Sequence, residues 1–201
     1  MGTRSLTVVI HKGKPVIAQM GLYNGGFSRS GLPVKHWITN GVSSTFKRNL
    51  AKCKFISDND VDMLYDKMGS SAYFTALGID QTEQFNKMYP TLARSTGCEI
   101  LNILSEKIPY SPIKLIDNYD FGLDGLFCEY AYVIDLDKST LGVYVGFIAK
   151  KWNTTINGLW ASCKGTNANY MPIGLIKEFS FSELSLIDDA EYVKMLEKLE
   201  K

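Results

Sequence analysis

The chain opens on two short runs of β-branched and alternating residues, Ser5–Ile10 and Pro15–Met20, separated by His11-Lys12-Gly13-Lys14. This spacing predicts a β-hairpin with glycine in its turn. Gly21–Gly31 (GLYNGGFSRSG) then reads as a glycine-rich loop. The apolar period changes after it. Between residues 33 and 54, Val42, Phe46, Leu50 and Cys53 fall within about 80° of one another on a helical wheel, and Lys47, Arg48, Lys52 and Lys54 take the opposite side. A helix is expected there.

Ser57-Asp58-Asn59-Asp60 has the form of a capping box, with acids in the first turn where the helix dipole favours them. Val61, Leu64, Tyr65 and Met68 follow at helical spacing and Gly69 ends the run. A short helix is expected from Asp80 and Glu83 to Pro90, and a longer one through Leu92, Thr96, Ile100, Ile103 and Leu104, ending before Pro109. Strand patterns then return at Ile113–Ile116, at Cys128–Ile134 with Leu141–Ile148, and at Gly174–Phe181. Asp188–Lys201 closes the chain as an amphipathic helix with Tyr192, Met195, Leu196 and Leu199 inward. The order predicts one α+β domain over 1–201. Its antiparallel sheet is built from the N-terminal hairpin and a C-terminal set of strands, with helices between and at the C-terminus. Within it lie a basic segment 1–57, a helical segment 58–107, a strand-rich segment 108–181 and the terminal helix 188–201.

Charge changes this picture. The 201 residues sum to a formal +1, but residues 1–57 contain nine basic residues and no acid, while the rest carry thirteen basic and twenty-one acidic residues. An acid-free quarter points to a surface for something acidic: an acidic protein, nucleic acid or a phosphorylated small molecule. The competing expectation is internal: the basic segment packs against the chain's own acidic loop, Asp117–Asp124. No run approaches the roughly 18–20 apolar residues of a membrane span. Leu6–Ile10 is too short for a signal-peptide core, and Leu6 stands where a myristoylation motif wants Ser or Thr. A cytoplasmic protein with no membrane association is therefore expected. Cys53, Cys98, Cys128 and Cys163 form no C-x-x-C pair and read as reduced, mostly buried thiols. With only His11 and His36 available, neither a metal site nor a cofactor is expected.

Several constellations invite chemistry and have plainer explanations. Asp58, Asp60 and Asp62 share the spacing of a calcium loop, but Met63 and Gly69 occupy the positions where that loop needs Gly and Glu, so a helix start is the better reading. The Gly21–Gly31 loop has the flexibility to aim amides at a phosphate, with Arg29 as a partner, yet it matches no phosphate-loop pattern. Both histidines lie in the acid-free segment, which leaves no local carboxylate to orient them. Asp135 and Asp137 read as turn residues. No catalytic residue is assigned.

Three stretches together, Met1–Thr7, Ala18–Gly31 and Glu129–Asp137, resemble a family of small uncharacterised proteins of bacteria and bacteriophages. Its pattern starts Met-Gly-Thr-Arg, continues Ala-Gln-Tyr-Gly-x-Trp-Asp-Gly-Tyr-Pro, and later has a Tyr-Val-Ile-Asp-Leu-Asp hairpin. Where that family has Trp-Asp-Gly-Tyr-Pro, this chain has Tyr23-Asn24-Gly25-Gly26-Phe27. Asn24 is no general base, and loss of the acid favours an anionic partner. The resemblance implies an accessory factor of a phage or mobile element that inhibits a host defence system, by capturing a nuclease with its guide RNA, nucleic acid or a nucleotide messenger. The binding residues expected are Arg4, Tyr23, Asn24, Arg29, Lys35, Lys47, Arg48, Lys52 and Lys54, with Tyr23 placed to stack on a base. Two other classes remain open. One is a small amide or nucleotide hydrolase of N-terminal-nucleophile-like architecture, using Thr3 or Cys128. The other is a structural virion component.

Overall fold

In the computed structural model, which describes residues 2–146, 157–163 and 171–200, the first two runs form β1 (Ser5–His11) and β2 (Lys14–Gly21), paired antiparallel. A short strand, β3 (Cys53–Ile56), pairs in parallel with β4 (Ile113–Ile116) as a separate two-stranded sheet. The C-terminal set is β5 (Tyr130–Asp135), β6 (Thr140–Val145) and β7 (Gly174–Ser180). Phe147 and Ile148, expected at the end of β6, lie outside the described residues.

The main sheet runs β2-β1-β5-β6-β7. It is antiparallel except at its centre, where β1 and β5 pair in parallel with Leu6 opposite Ala131 and Val8 opposite Val133. β2 ends and β5 begins at the same end of the sheet, Gly21 and Tyr130 both lying opposite Ser5, so β5 enters on the far side of β1 from β2 and runs with β1. β1 reads as a nearly unbroken apolar run because both its faces are covered. On one face Val9, Tyr132, Ile134, Val143 and Phe179 pack against the helices. On the other, Leu6, Val8, Ala131, Val133 and Tyr144 pack with Trp160 and Ile173.

The helix expected over 33–54 is three elements. α1 spans Leu32–Thr39, α2 spans Ser44–Leu50, and β3 follows. Gly41, at φ 89°, breaks the first from the second, a backbone state that costs any other residue steric strain. The Ser43 hydroxyl then accepts from the Phe46 amide at 3.0 Å and caps α2. The apolar stripe still meets the core: Phe46 and Leu50 are buried on α2, while Val42 and Cys53 reach the same cluster from outside it.

α3 (Asp58–Met68) starts on the expected capping box between Ser57 and Asp60. α4 (Ser71–Ala76) has no counterpart in the pattern reading, and α5 (Gln81–Met88) is capped by Asp80. The longer helix expected from Leu92 is only α6 (Ile100–Ser105), because Gly97 takes φ 51° and a tight turn precedes it. Leu92 instead joins Leu64 and Phe85 in a small third core that seats α3 and α5 on Ile56 and Ile116 of the two-stranded sheet. At the C-terminus a capping box between Ser180 and Glu183 converts the end of the expected strand into α7 (Phe181–Leu186). α8 (Asp189–Glu200) follows, with Tyr192 and Leu196 buried.

Candidate functional site: a basic corner and an adjoining cleft

The face of the two-stranded sheet that carries Ile56 and Ile116 under α3 and α5 carries Lys54 and Lys114 further along, directly opposite each other in register. Lys54 is exposed and Lys114 half-buried. Lys52 immediately precedes β3, and its carbonyl accepts from the Ile113 amide at 2.9 Å. Lys47 and Arg48 stand exposed on α2, where the Arg48 guanidinium donates to Thr45 Oγ1 at 3.1 Å. The buried Asn49 side chain draws in one more cation. Its amide donates to the Leu104 and Glu106 carbonyls at 3.0 and 2.8 Å, which sets Lys107 beside α2. Among the described residues, none of these six cations forms an ion pair. Asp60 feels Lys114 and Lys54 only weakly; its carboxyl is held below the usual range first by the Ser57 hydroxyl and amide.

The remaining expected residues are scattered. Lys35 corrects the sequence reading most sharply. It is buried, its ammonium lies 2.7 Å from Asp189 Oδ1 and 6.0 Å over the Tyr192 ring, and it presents no charge to a partner. A stretch read as an amphipathic helix hides which face is inward until the helix breaks at Gly41. The Arg4 guanidinium covers the Phe127 ring at 4.8 Å, while its amide donates to Glu129 Oε1. Asn24 holds φ 60° and its carbonyl accepts from the Ser30 hydroxyl. Asn adopts that left-handed state more readily than most residues. Arg29 is exposed on the wide π-type turn Phe27–Gly31 that leads into α1.

That turn removes the anion-cradle reading. The amides of Arg29, Ser30 and Gly31 all donate back to the Gly26 carbonyl, and the Gly25 amide donates to Thr3. Gly25 is needed for packing: a Cβ there would stand 2.7 Å from the Arg4 carbonyl oxygen. Cys128 is no better as a nucleophile, because complete burial pushes its thiol well above the ordinary range. The histidines, by contrast, do find carboxylates through the tertiary structure. His11 Nδ1 lies 3.4 Å from Asp137, and His36 Nε2 lies 2.7 Å from Asp189. Asp137 also accepts from the Lys12 and Gly13 amides and ties the two hairpin turns together.

Among the described residues, the acidic loop Asp117–Asp124 forms no ion pair with the basic segment. It lies along the edge of β2 through its backbone: the Asn118 amide donates to the Ala18 carbonyl, and Asn118 Oδ1 accepts from the Met20 amide. Asp117 and Asp124 accept from amides of their own loop.

Four carboxyls are held below their ordinary values by hydrogen bonds present only in the fold: Asp60 and Glu183 at helix starts, Asp137 by the Gly13 and Lys12 amides, and Asp189 by Lys35 and His36. A lowered folded-state value means that the unfolded chain binds protons more readily. These groups therefore add stability above the unfolded carboxylate range, and the gain is lost as pH falls through their lower folded values. Thermal unfolding between about pH 7 and pH 2 is expected to show a level Tm above about pH 5 and a steady fall below about pH 4. Replacement of Asp137 by Asn is expected to flatten that fall.

Tyr23, 63 % exposed, lines a different feature. This is a cleft of about 720 Å³ between the chain leaving β2, α3, α5 and the Leu92–Ser95 segment, with Ile116 and Asn118 on its floor. Ile116 stands two residues along β4 from Lys114, so cleft and corner adjoin. The sequence reading missed Lys107 and Lys114, which lie in the acidic part of the chain, and gave no signal for the cleft residue Arg94. Among the described residues, no group of three or more His, Cys, Asp or Glu is placed to hold a metal ion, and no helix is long and apolar enough to cross a membrane. No protein-family model matches this chain, and no curated protein and no solved structure matches it.

Proposed function

We propose that this is a non-enzymatic binding protein that takes an acidic partner on the corner formed by α2, β3 and β4. The observation that carries the reading is the pairing of Lys54 with Lys114 on neighbouring strands, with Lys52 just before β3, Lys47 and Arg48 on α2 and Lys107 after α6, none of them in an ion pair among the described residues. Like charges directly opposite each other in a sheet are destabilising by themselves. A string of phosphates, or a carboxylate-rich protein surface, relieves that repulsion and supplies the missing counter-charge. The resemblance to bacterial and phage proteins points to an accessory role, inhibition of a host defence complex, for which guide RNA or an acidic nuclease surface is a fitting target.

The experiment is fluorescence anisotropy with a labelled 20-nucleotide single-stranded RNA and, in parallel, a labelled polyglutamate, each over a salt series. For RNA, four to six phosphate contacts give a slope of log affinity against log salt of about −3 to −4. Lys54→Glu with Lys114→Glu is expected to weaken binding of whichever ligand is preferred by at least tenfold, with Arg29→Glu, a charge reversal outside the corner, as a control that leaves it unchanged. Affinity indifferent to both salt and the double reversal overturns the proposal.

A further inference from the structure

The cleft beside the corner carries a second inference, independent of the first. Its volume of about 720 Å³ lies within the roughly 300–1,000 Å³ of small-molecule sites. Both signs of charge line it. Asp58 and Asp62 are four residues apart on α3 and so share one face, while Arg94 comes from the segment after α5. Among the described residues none of the three forms an ion pair. Opposite charges that line one cavity and do not meet are suited to a molecule that spans them, with a donor-rich end for the carboxylates and an anionic end for the guanidinium. Around them are flat rings and amides. Tyr23 is largely exposed, Tyr65 lies flat on Phe85 at 3.8 Å and 5°, and Asn118, whose Oδ1 is already taken by the Met20 amide, keeps its N–H groups to donate.

We infer that this cleft binds a guanine mononucleotide. Guanine presents two adjacent donors, N1–H and the exocyclic amine, which one carboxylate accepts together, and its O6 and N7 accept from a side-chain amide such as that of Asn118. Adenine sets an acceptor beside its donor, and uracil flanks its single N–H with two carbonyls, so both turn a lone pair toward the carboxylate. The planar base suits Tyr23 as a stacking partner. A phosphate on the ribose takes Arg94 in a charge-assisted pair.

Isothermal titration with 5′-GMP, guanosine and 5′-AMP tests this on the full chain. Asp58, Asp62 and Arg94 are all exposed, so their substitution leaves the core intact, which far-UV circular dichroism checks. GMP is expected to bind at least tenfold more tightly than either guanosine or AMP. Arg94→Ala is expected to erase the preference for GMP over guanosine, and Asp58→Asn with Asp62→Asn the preference for GMP over AMP. No heat from GMP at about 1 mM overturns the inference. So does equal binding of GMP and AMP that disappears with Lys54→Glu and Lys114→Glu, because the phosphate is then held at the basic corner. Failure of RNA or polyglutamate to bind the corner leaves the GMP result unaffected.

Discussion

Replacing Trp160 by alanine is expected to lower the unfolding free energy by about 3–5 kcal/mol, read as a drop in the urea midpoint with little change in slope. The ring is fully buried and fills the sheet face opposite the helices. It meets Tyr144 edge-on at 5.3 Å and Tyr119 at 5.2 Å, and its indole N–H donates to the Tyr119 carbonyl. Gly122 packs so close that a Cβ there would fall 2.4 Å from the ring. Truncation therefore leaves a large cavity. Trp160→Phe, which keeps much of the ring volume while losing the rest and the donor, is expected to cost less than half as much. A loss below about 1 kcal/mol for the alanine variant, the ordinary range of surface substitutions and small packing changes, contradicts this account of the face.

Asn49→Ala is expected to cost about 2–6 kcal/mol, since it strands two carbonyl acceptors at about 1–3 kcal/mol each. Asn49 is 1 % exposed and its amide joins α2 to the Leu104 and Glu106 carbonyls at the end of α6. Asn49→Asp is expected to be worse, because a carboxylate has no hydrogen to donate and is buried facing two carbonyl oxygens. Equilibrium urea unfolding of the two variants reads both effects, and an Asp variant as stable as the parent sinks the assignment of those bonds. The alanine variant has a functional consequence as well. It releases the tether that keeps Lys107 beside α2, so the salt slope of polyanion binding is expected to shrink by about 0.7, one phosphate contact.

The parts of this structure that were legible in the sequence are those whose causes are local. The β1–β2 hairpin, the capping box of α3, the β5–β6 turn built on Asp135, and the inward positions Tyr192 and Leu196 each follow from residues within a few places of one another. Where pattern reading failed, a local and a distant cause competed. Cys53 continues a helical stripe, but a strand sixty residues away, β4, offers the backbone of Cys53–Ile56 a ladder, and the ladder prevails once Leu50 ends α2. The parallel seam between β1 and β5 carries no local mark at all.

The candidate site divides the same way. Lys47, Arg48, Lys52 and Lys54 were readable as a basic group because their neighbours in sequence lack acids. Lys114 was not, since its own segment is acidic and only strand register sets it against Lys54. Nothing near Lys35 in sequence says that Asp189 closes over it. Nothing near the histidines orients them either, since both carboxylates that meet them arrive from more than a hundred residues away.

The sequence by itself determined the α+β class, the hairpins, most helix starts and the polarity of charge along the chain, because each rests on short-range periodicity, capping or composition. Only the tertiary structure decided which of the nine early cations stay without an ion pair among the described residues, which later ones join them, and that a cleft lined by charges of both signs opens beside them. Those properties depend on distances between residues far apart in the chain, and such distances exist only once the two sheets and the third core have closed.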